Sequence, residues 1–130
     1  MKTRRSFAWL VLRAWLDLAR GDVLTALRGF GYVRMRLARQ ATRRATPPAD
    51  IERAICEAVL LATCFYWKPV LCLQRSVSTT RLLRAYGVPA RLVIGYREAP
   101  FFSHAWVEVD SRVVNDSPVY RQRLRVLHSI

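Results

Sequence analysis

Three residues of this chain could together run nucleophilic chemistry, and they come in a set order: Cys72, then His104 within His104-Ala105-Trp106, then Asp116. A thiol attacks as its thiolate, and the start of a helix stabilises a thiolate through its partial positive charge. Cys72 is read as the first residue of a helix, with Arg75 one turn in. A histidine near neutral pH can take and return the proton. His104 opens a strand among Phe101, Phe102 and Trp106, aromatic residues that would exclude water and wall a substrate pocket, whereas His128 lies close to the C-terminus, where ordering is usually poor. The base needs an orienting carboxylate. Asp110 at the hairpin tip is six residues along the strand from His104, roughly 20 Å at about 3.3 Å per residue. Asp116 on the returning strand reaches His104 as a diagonal neighbour if the hairpin loop holds an odd number of residues, and faces away if it holds two. An acyl-transfer site also needs oxyanion donors; the Cys72 backbone N–H is one candidate and the Trp67 indole a second. Each residue also has a bland reading: Cys72 as packing at a helix start, Asp116 as a turn hydrogen bond before Pro118.

The elements that must position these groups follow from periodicity and punctuation. Arg5 to Ala19 reads as a helix ended by Gly21. Asp22 then caps a second, basic amphipathic helix with Val23, Ala26, Leu27, Phe30, Val33, Leu37 and Ala41 as its apolar stripe. Pro47-Pro48 breaks the pattern, and Asp50 caps a third helix to about Thr63 whose buried side is Ile51, Ile55, Ala58, Val59 and Ala62. Cys56 and Cys64 fall on this helix and read as core packing. After a linker, Phe65 to Leu71, the fourth helix runs from Cys72 to about Tyr86. Ala90 to Tyr96, Ser103 to Val109 and Arg112 to Ser117 read as strands, the last two joined through Asp110-Ser111, and Leu124 to Leu127 supplies a fourth. Helices first and an antiparallel sheet second make an α+β domain.

At 130 residues, 52 % of them apolar, the chain builds one hydrophobic core and is no disordered polyelectrolyte. Residues 1–46 form basic N-terminal helices packed on a core of residues 47–130, the whole being a single domain. The net charge of +13 is concentrated in the first part, which holds eleven basic residues against two acidic ones. Such a surface attracts nucleic acid, an anionic membrane or an acidic protein, so a basic binding module for nucleic acid or a membrane surface, without catalysis, is the alternative to an enzyme. No nucleic-acid motif is legible, however, and the aromatics gather near His104 rather than among the arginines. Three cysteines eight residues apart form neither a disulfide framework nor a metal signature, pointing to a reducing, cytoplasmic setting. The apolar run after Lys2, Arg4 and Arg5 is interrupted by Arg13 and Asp17, far short of the roughly 20 residues that span a bilayer.

Four segments in order then carry a resemblance: Cys72-Leu73-Gln74-Arg75-Ser76; Gly87-Val88-Pro89-Ala90-Arg91-Leu92-Val93-Ile94-Gly95; Phe101 through Val109; and Val113-Val114-Asn115-Asp116-Ser117-Pro118. Together they resemble the transglutaminase-like leader peptidases of lasso-peptide biosynthesis, over about residues 50 to 120. The resemblance implies a papain-like, transglutaminase-core cysteine protease that removes the leader from a ribosomally made precursor, with Cys72, His104 and Asp116 at the triad positions. It implies a split form that relies on a separate leader-recognition protein, and an asparagine-synthetase-like cyclase as a further partner. ATP would belong to that cyclase, since this chain has no phosphate-cradling glycine loop, and no cofactor or metal is expected here. Asp110-Ser111 departs from relatives whose hairpin turn ends in Gly.

Overall fold

The computed structural model describes residues 2–43, 46–47 and 50–130, with the side chains of residues 2–5 left aside; Pro48 of the expected Pro47-Pro48 break lies outside the described residues. The elements are α1 (Lys2–Arg28), α2 (Phe30–Arg39), α3 (Ile51–Cys64), α4 (Cys72–Ala85), β1 (Ala90–Glu98), β2 (Phe101–Val109), β3 (Arg112–Val113), α5 (Val119–Arg123) and β4 (Arg125–Ser129). The strands form one antiparallel sheet in the order β3-β2-β1-β4. The α+β reading holds.

The first two helices divide at a different glycine from the one expected. Gly21 sits inside α1, and the break falls at Gly29, whose φ of 80° is open to glycine and strained for other residues. A helical glycine costs only about 1 kcal/mol relative to alanine, and α1 recovers that by burying Leu10, Ala14 and Leu18 against α3 and α4. Asp22 therefore caps nothing. It accepts hydrogen bonds from the Tyr66 hydroxyl and, at 2.9 Å, from Lys68 Nζ. Desolvation opposes the charge on Asp22, but Tyr66, Lys68 and the Gln74 side chain together outweigh it and hold the carboxyl below its ordinary pKa. Asp50 does stand at the start of α3, in a left-handed conformation, yet its side chain makes no capping bond. The buried side of α3 is as expected, Ile55, Ala58, Val59 and Ala62. Cys64, expected in the core, is exposed at the end of that helix.

The sheet is two-sided. Ala90, Leu92, Ala105, Val107 and Val109 face the helices, in register across β1 and β2. Val93 and Trp106 face the other way and are closed over by Leu124 and Tyr120. Trp106 is fully buried because Gly95 lies beneath it; a Cβ on Gly95 would stand 2.5 Å from Trp106 Cη2. The termini of several elements meet at one side chain. Arg84, only 7 % exposed, donates to the backbone oxygens of Ala90 (2.9 Å), Leu37 (2.6 Å), Gln40 (3.4 Å) and Ile130 (2.8 Å). It thereby ties the end of α2, the start of β1 and the last residue of the chain to α4. Hydrogen bonds from a charged donor contribute about 1.5–3 kcal/mol each when their loss strands a buried partner. Arg84→Met should lower the free energy of unfolding by about 3 kcal/mol or more in urea denaturation, and Arg84→Lys, which keeps the charge but not the fork, should recover only part of it.

Candidate functional site

Cys72 is the first residue of α4. Leu71 before it is extended, and the first intrahelical hydrogen bond runs from Arg75 N to Leu71 O at 3.0 Å. The amides of residues 72–74 therefore precede the helical ladder and point out of the helix start. The side chain of Cys72 is half-buried and packs on the cluster of Val77, Leu92 and Ala105.

His104 and Asp116 come together by a route the odd-loop argument did not contain. The hairpin loop has two residues, Asp110 and Ser111, both with positive φ (49° and 65°), the pattern of a tight type I′ turn. The register is Glu108 with Val113 and Val109 with Arg112. Continued, it would send Asp116 to the wrong face. The strand stops first. Val114 N still donates to Val107 O (3.0 Å), but the return bond from Val107 N goes to the side-chain Oδ1 of Asn115 (2.8 Å) in place of a backbone carbonyl. Asn115 Nδ2 donates to Ser76 Oγ (3.1 Å), and Ser76 Oγ donates to Ala105 O (3.2 Å). The chain bends here, and Asp116 Oδ2 lies 2.7 Å from His104 Nε2 and 3.1 Å from Arg75 Nη2. Its other oxygen, Oδ1, accepts from Ser117 N at 2.8 Å. The turn bond and the histidine contact thus coexist on one carboxylate.

With Nε2 engaged by Asp116, Nδ1 is the ring nitrogen left for proton transfer. The ring is covered by Tyr120 of α5, with centroids 4.0 Å apart, and flanked by Phe102 and Trp106 at 6.1 and 6.4 Å. Tyr120 and the positioning residues Arg75, Ser76 and Asn115 were not singled out from sequence for these contacts. The Asn115-Asp116 pair beside a strand end was the available signal. Cys72 makes no hydrogen bond to His104 or Asp116 in this structure. Its helix is tied to β2 one turn further on: Ser76, about 6 Å along the helix axis, is bonded to the carbonyl of the residue after His104.

The remaining candidates separate. Phe102 lines a cavity of about 330 Å³ with Arg97, Ser117, Tyr120 and Arg123. Phe101 is exposed, and Trp106, fully buried, supports the sheet rather than presenting a wall to substrate. Trp67 is exposed on the linker with Lys68 Nζ 5.3 Å from its ring centre. Burial, reinforced by Glu52, pushes the Cys56 thiol up to about 11. Among the described residues no cluster of three or more His, Cys, Asp or Glu could hold a metal ion, and no helix is long and apolar enough to cross a membrane.

A family model described as "Transglutaminase-like superfamily" matches residues 17–129. The chain belongs to that superfamily. It is also similar to the microcin J25-processing protein McjB of Escherichia coli, at 46 % identity over 59 residues, which is 45 % of this chain and 28 % of that protein. The matched part thus spans well under half of that relative. No solved structure matches.

The bend depends on Asn115 most directly. Asn115→Ala leaves the amide of Val107 without its partner, which should cost about 1–3 kcal/mol in chemical denaturation. Asn115→Asp keeps the acceptor for Val107 N but loses the donor to Ser76, and should cost less.

Proposed function

We propose that this chain is a cysteine peptidase that removes the leader peptide from a ribosomally made lasso-peptide precursor, using Cys72 as nucleophile, His104 as acid and base, and Asp116 as the group that orients the histidine. The observation that carries this reading is the 2.7 Å contact between His104 Nε2 and Asp116, made by a chain segment that leaves its sheet to form it. The placement of Cys72 at the head of the helix that also supplies Arg75 to Asp116, and Ser76 to the neighbouring Asn115 and Ala105, supports it, as does the similarity to a protein named for processing a microcin.

In this mechanism Nδ1 of His104 takes the Cys72 thiol proton and the thiolate adds to the scissile carbonyl. The oxygen that becomes negative is met by amides of the first turn of α4, the Cys72 N–H foremost, with the Trp67 indole as a second donor. Collapse forms the Cys72 thioester and releases the amine, protonated by His104. His104 then takes a proton from water, which attacks the thioester and frees the leader's carboxylate. Asp116 holds the ring so that Nδ1 faces the reaction, and Arg75 holds Asp116. Phe102 and Tyr120 wall the histidine side and limit water there. The chain would work with a separate leader-recognition protein and an asparagine-synthetase-like cyclase that uses the freed amine, ATP being consumed by the cyclase.

The assay is cleavage of the cognate precursor by the chain with its recognition partner. Cys72→Ala and His104→Ala should abolish cleavage, and Asp116→Asn should lower kcat by about 10²–10⁴-fold; Cys56→Ala and Cys64→Ala should leave it. Full activity in the Cys72 variant would sink the reading. Thiol mapping gives a second check. With its pKa near 11, Cys56 is thiolate in only about one molecule in a thousand at pH 8, so alkylation there should spare it and rise as pH climbs through 9 to 11. Alkylation of Cys72 should inactivate the Cys64→Ala variant. Labelling of Cys72 with activity retained would count against its role.

A further inference from the structure

On the face of the sheet turned away from the long helices, a cavity of about 330 Å³ opens beside the histidine. Phe102 and Tyr120 form its apolar wall, and the same Tyr120 ring covers His104 with centroids 4.0 Å apart. Its charged lining is of one sign. Arg97 comes from β1 and Arg123 from the last turn of α5, joined by Ser117 from the bend after Asp116, and no acidic residue lines the cavity among the described residues.

Neither arginine is half of an ion pair. Arg112 and Arg121 close by are matched by Glu52 and Glu108, whereas Arg97 and Arg123 have no carboxylate partner among the described residues. Asp116 is already engaged by His104, Arg75 and the Ser117 amide, and Glu98, next to Arg97 on the strand, points to the other face. Arg97 is nevertheless held in place. Its Nε donates to Pro100 O at 3.1 Å, and its guanidinium lies 5.4 Å from the ring centre of Phe102, its partner across β1 and β2. The Ser117 hydroxyl accepts from Val119 N at 3.3 Å, which leaves its proton to donate. Two cations on one cavity repel each other, and no protein group relieves them. A carboxylate among them would meet both charges, planar forks of donors and an aromatic wall for its carbon stem.

The position of the cavity says which part of a peptide would bring that carboxylate. His104 protonates the departing amine while the acyl part stays on Cys72, so the departing segment begins beside the imidazole. The two rings of the wall lie just past it, with centroids 4.0 and 6.1 Å from that of His104. At about 3.4 Å per residue of extended chain, roughly the second to fourth residue after the bond comes level with the cavity. We propose that this cavity is a specificity subsite for an Asp or Glu side chain at one of those positions of the substrate, with Arg97 and Arg123 as its specificity-determining residues. The assignment to a substrate position rests on the peptidase reading; the preference for a carboxylate rests on the cavity alone.

The test uses the full chain with its recognition partner and precursors that carry Glu, Gln or Lys at each of the second, third and fourth positions after the cut, which mass spectrometry locates. At one of these positions the parent should favour Glu over Gln by about tenfold in kcat/KM and disfavour Lys further. Arg97→Gln with Arg123→Gln should bring the Glu-to-Gln ratio to about one, and Arg97→Glu with Arg123→Glu should turn the preference to Lys. The ratio is read because a merely structural loss would slow all substrates alike. Binding is measured separately in the Cys72→Ala chain: N-acetyl-Gly-Gly-Glu-Gly-amide at millimolar concentration should shift the NMR signals of the Arg97 and Arg123 Nε–H groups, and the Gln peptide should not. Preference for Glu at no position, a ratio that survives in the double variants, or equal shifts from both peptides would each overturn the proposal. The two readings fail separately. Cleavage by the Cys72→Ala chain would remove the catalytic assignment and leave the Glu preference standing, cleavage indifferent to Glu would remove the subsite alone, and the peptide shifts decide for the subsite even where nothing is cleaved.

Discussion

The side chain of Asn115 replaces a strand. Where β3 would have continued, the amide of Val107 is satisfied by Asn115 Oδ1 instead of a backbone carbonyl, and the chain is released from the pleat. This substitution matters because strand parity is rigid: every residue along a paired strand alternates faces, so no adjustment within the ladder could turn Asp116 toward His104. Ending the ladder after two residues and satisfying the last amide with an amide side chain removes that constraint without stranding a buried donor. The other end of Asn115 reaches Ser76, which also bonds the carbonyl of Ala105. One residue thus fixes the bend to both β2 and α4, and the distance between the head of α4 and the start of β2 is set by the same few bonds.

Around this point the fold supplies rigidity rather than chemistry. Arg84 gathers backbone oxygens from four places, two of which, Gln40 and Ile130, lie just past the last turn of α2 and at the end of the chain. Its charge is spread over these oxygens, and burial, with Arg91 nearby, lowers its pKa from that of a free arginine. On the far side of the sheet Gly95 gives Trp106 room to lie flat, and Leu124 and Tyr120 close over it. Tyr120 is then in place against His104. The aromatic cover of the histidine is a consequence of how the reverse face of the sheet is packed.

Much of this was legible in the chain. The start of α4 was marked by Pro69 and an apolar linker, the strands by branched residues between glycines and prolines, and the order of cysteine, histidine and aspartate by residue type alone. What was not legible depended on contacts between distant segments. Gly21 and Gly29 look alike locally; the burial of Leu18 and the bonds to Asp22 from a loop more than forty residues away keep the helix going through the first. Asp22 and Asp50 have the composition of caps, and neither caps, because one is recruited by Tyr66 and Lys68 and the other sits in a left-handed turn. The Asp110-Ser111 turn was placed correctly, but parity inferred from it pointed the wrong way, since a side chain standing in for the backbone leaves no periodic trace. The five-residue helix α5, too short to show a period, hid Tyr120.

The three cysteines show how one residue type is sorted by position. Cys56 is turned partly inward on α3 beside Glu52 and Glu57, where burial and negative neighbours hold its proton. Cys64 is exposed at the last turn of the same helix, the end at which carbonyls collect, and donates to Leu60 O at 3.6 Å. Eight residues on, Cys72 stands at the opposite kind of helix end, where unpaired amides collect, with Arg75 one turn along the same helix. The chain between them, Phe65 to Leu71, therefore moves from the negative end of one helix to the positive end of the next. The same amides that would stabilise a thiolate would also meet an oxyanion formed beside it. Under the proposed mechanism, selecting the nucleophile and stabilising what it forms would draw on one feature, the bare first turn of α4.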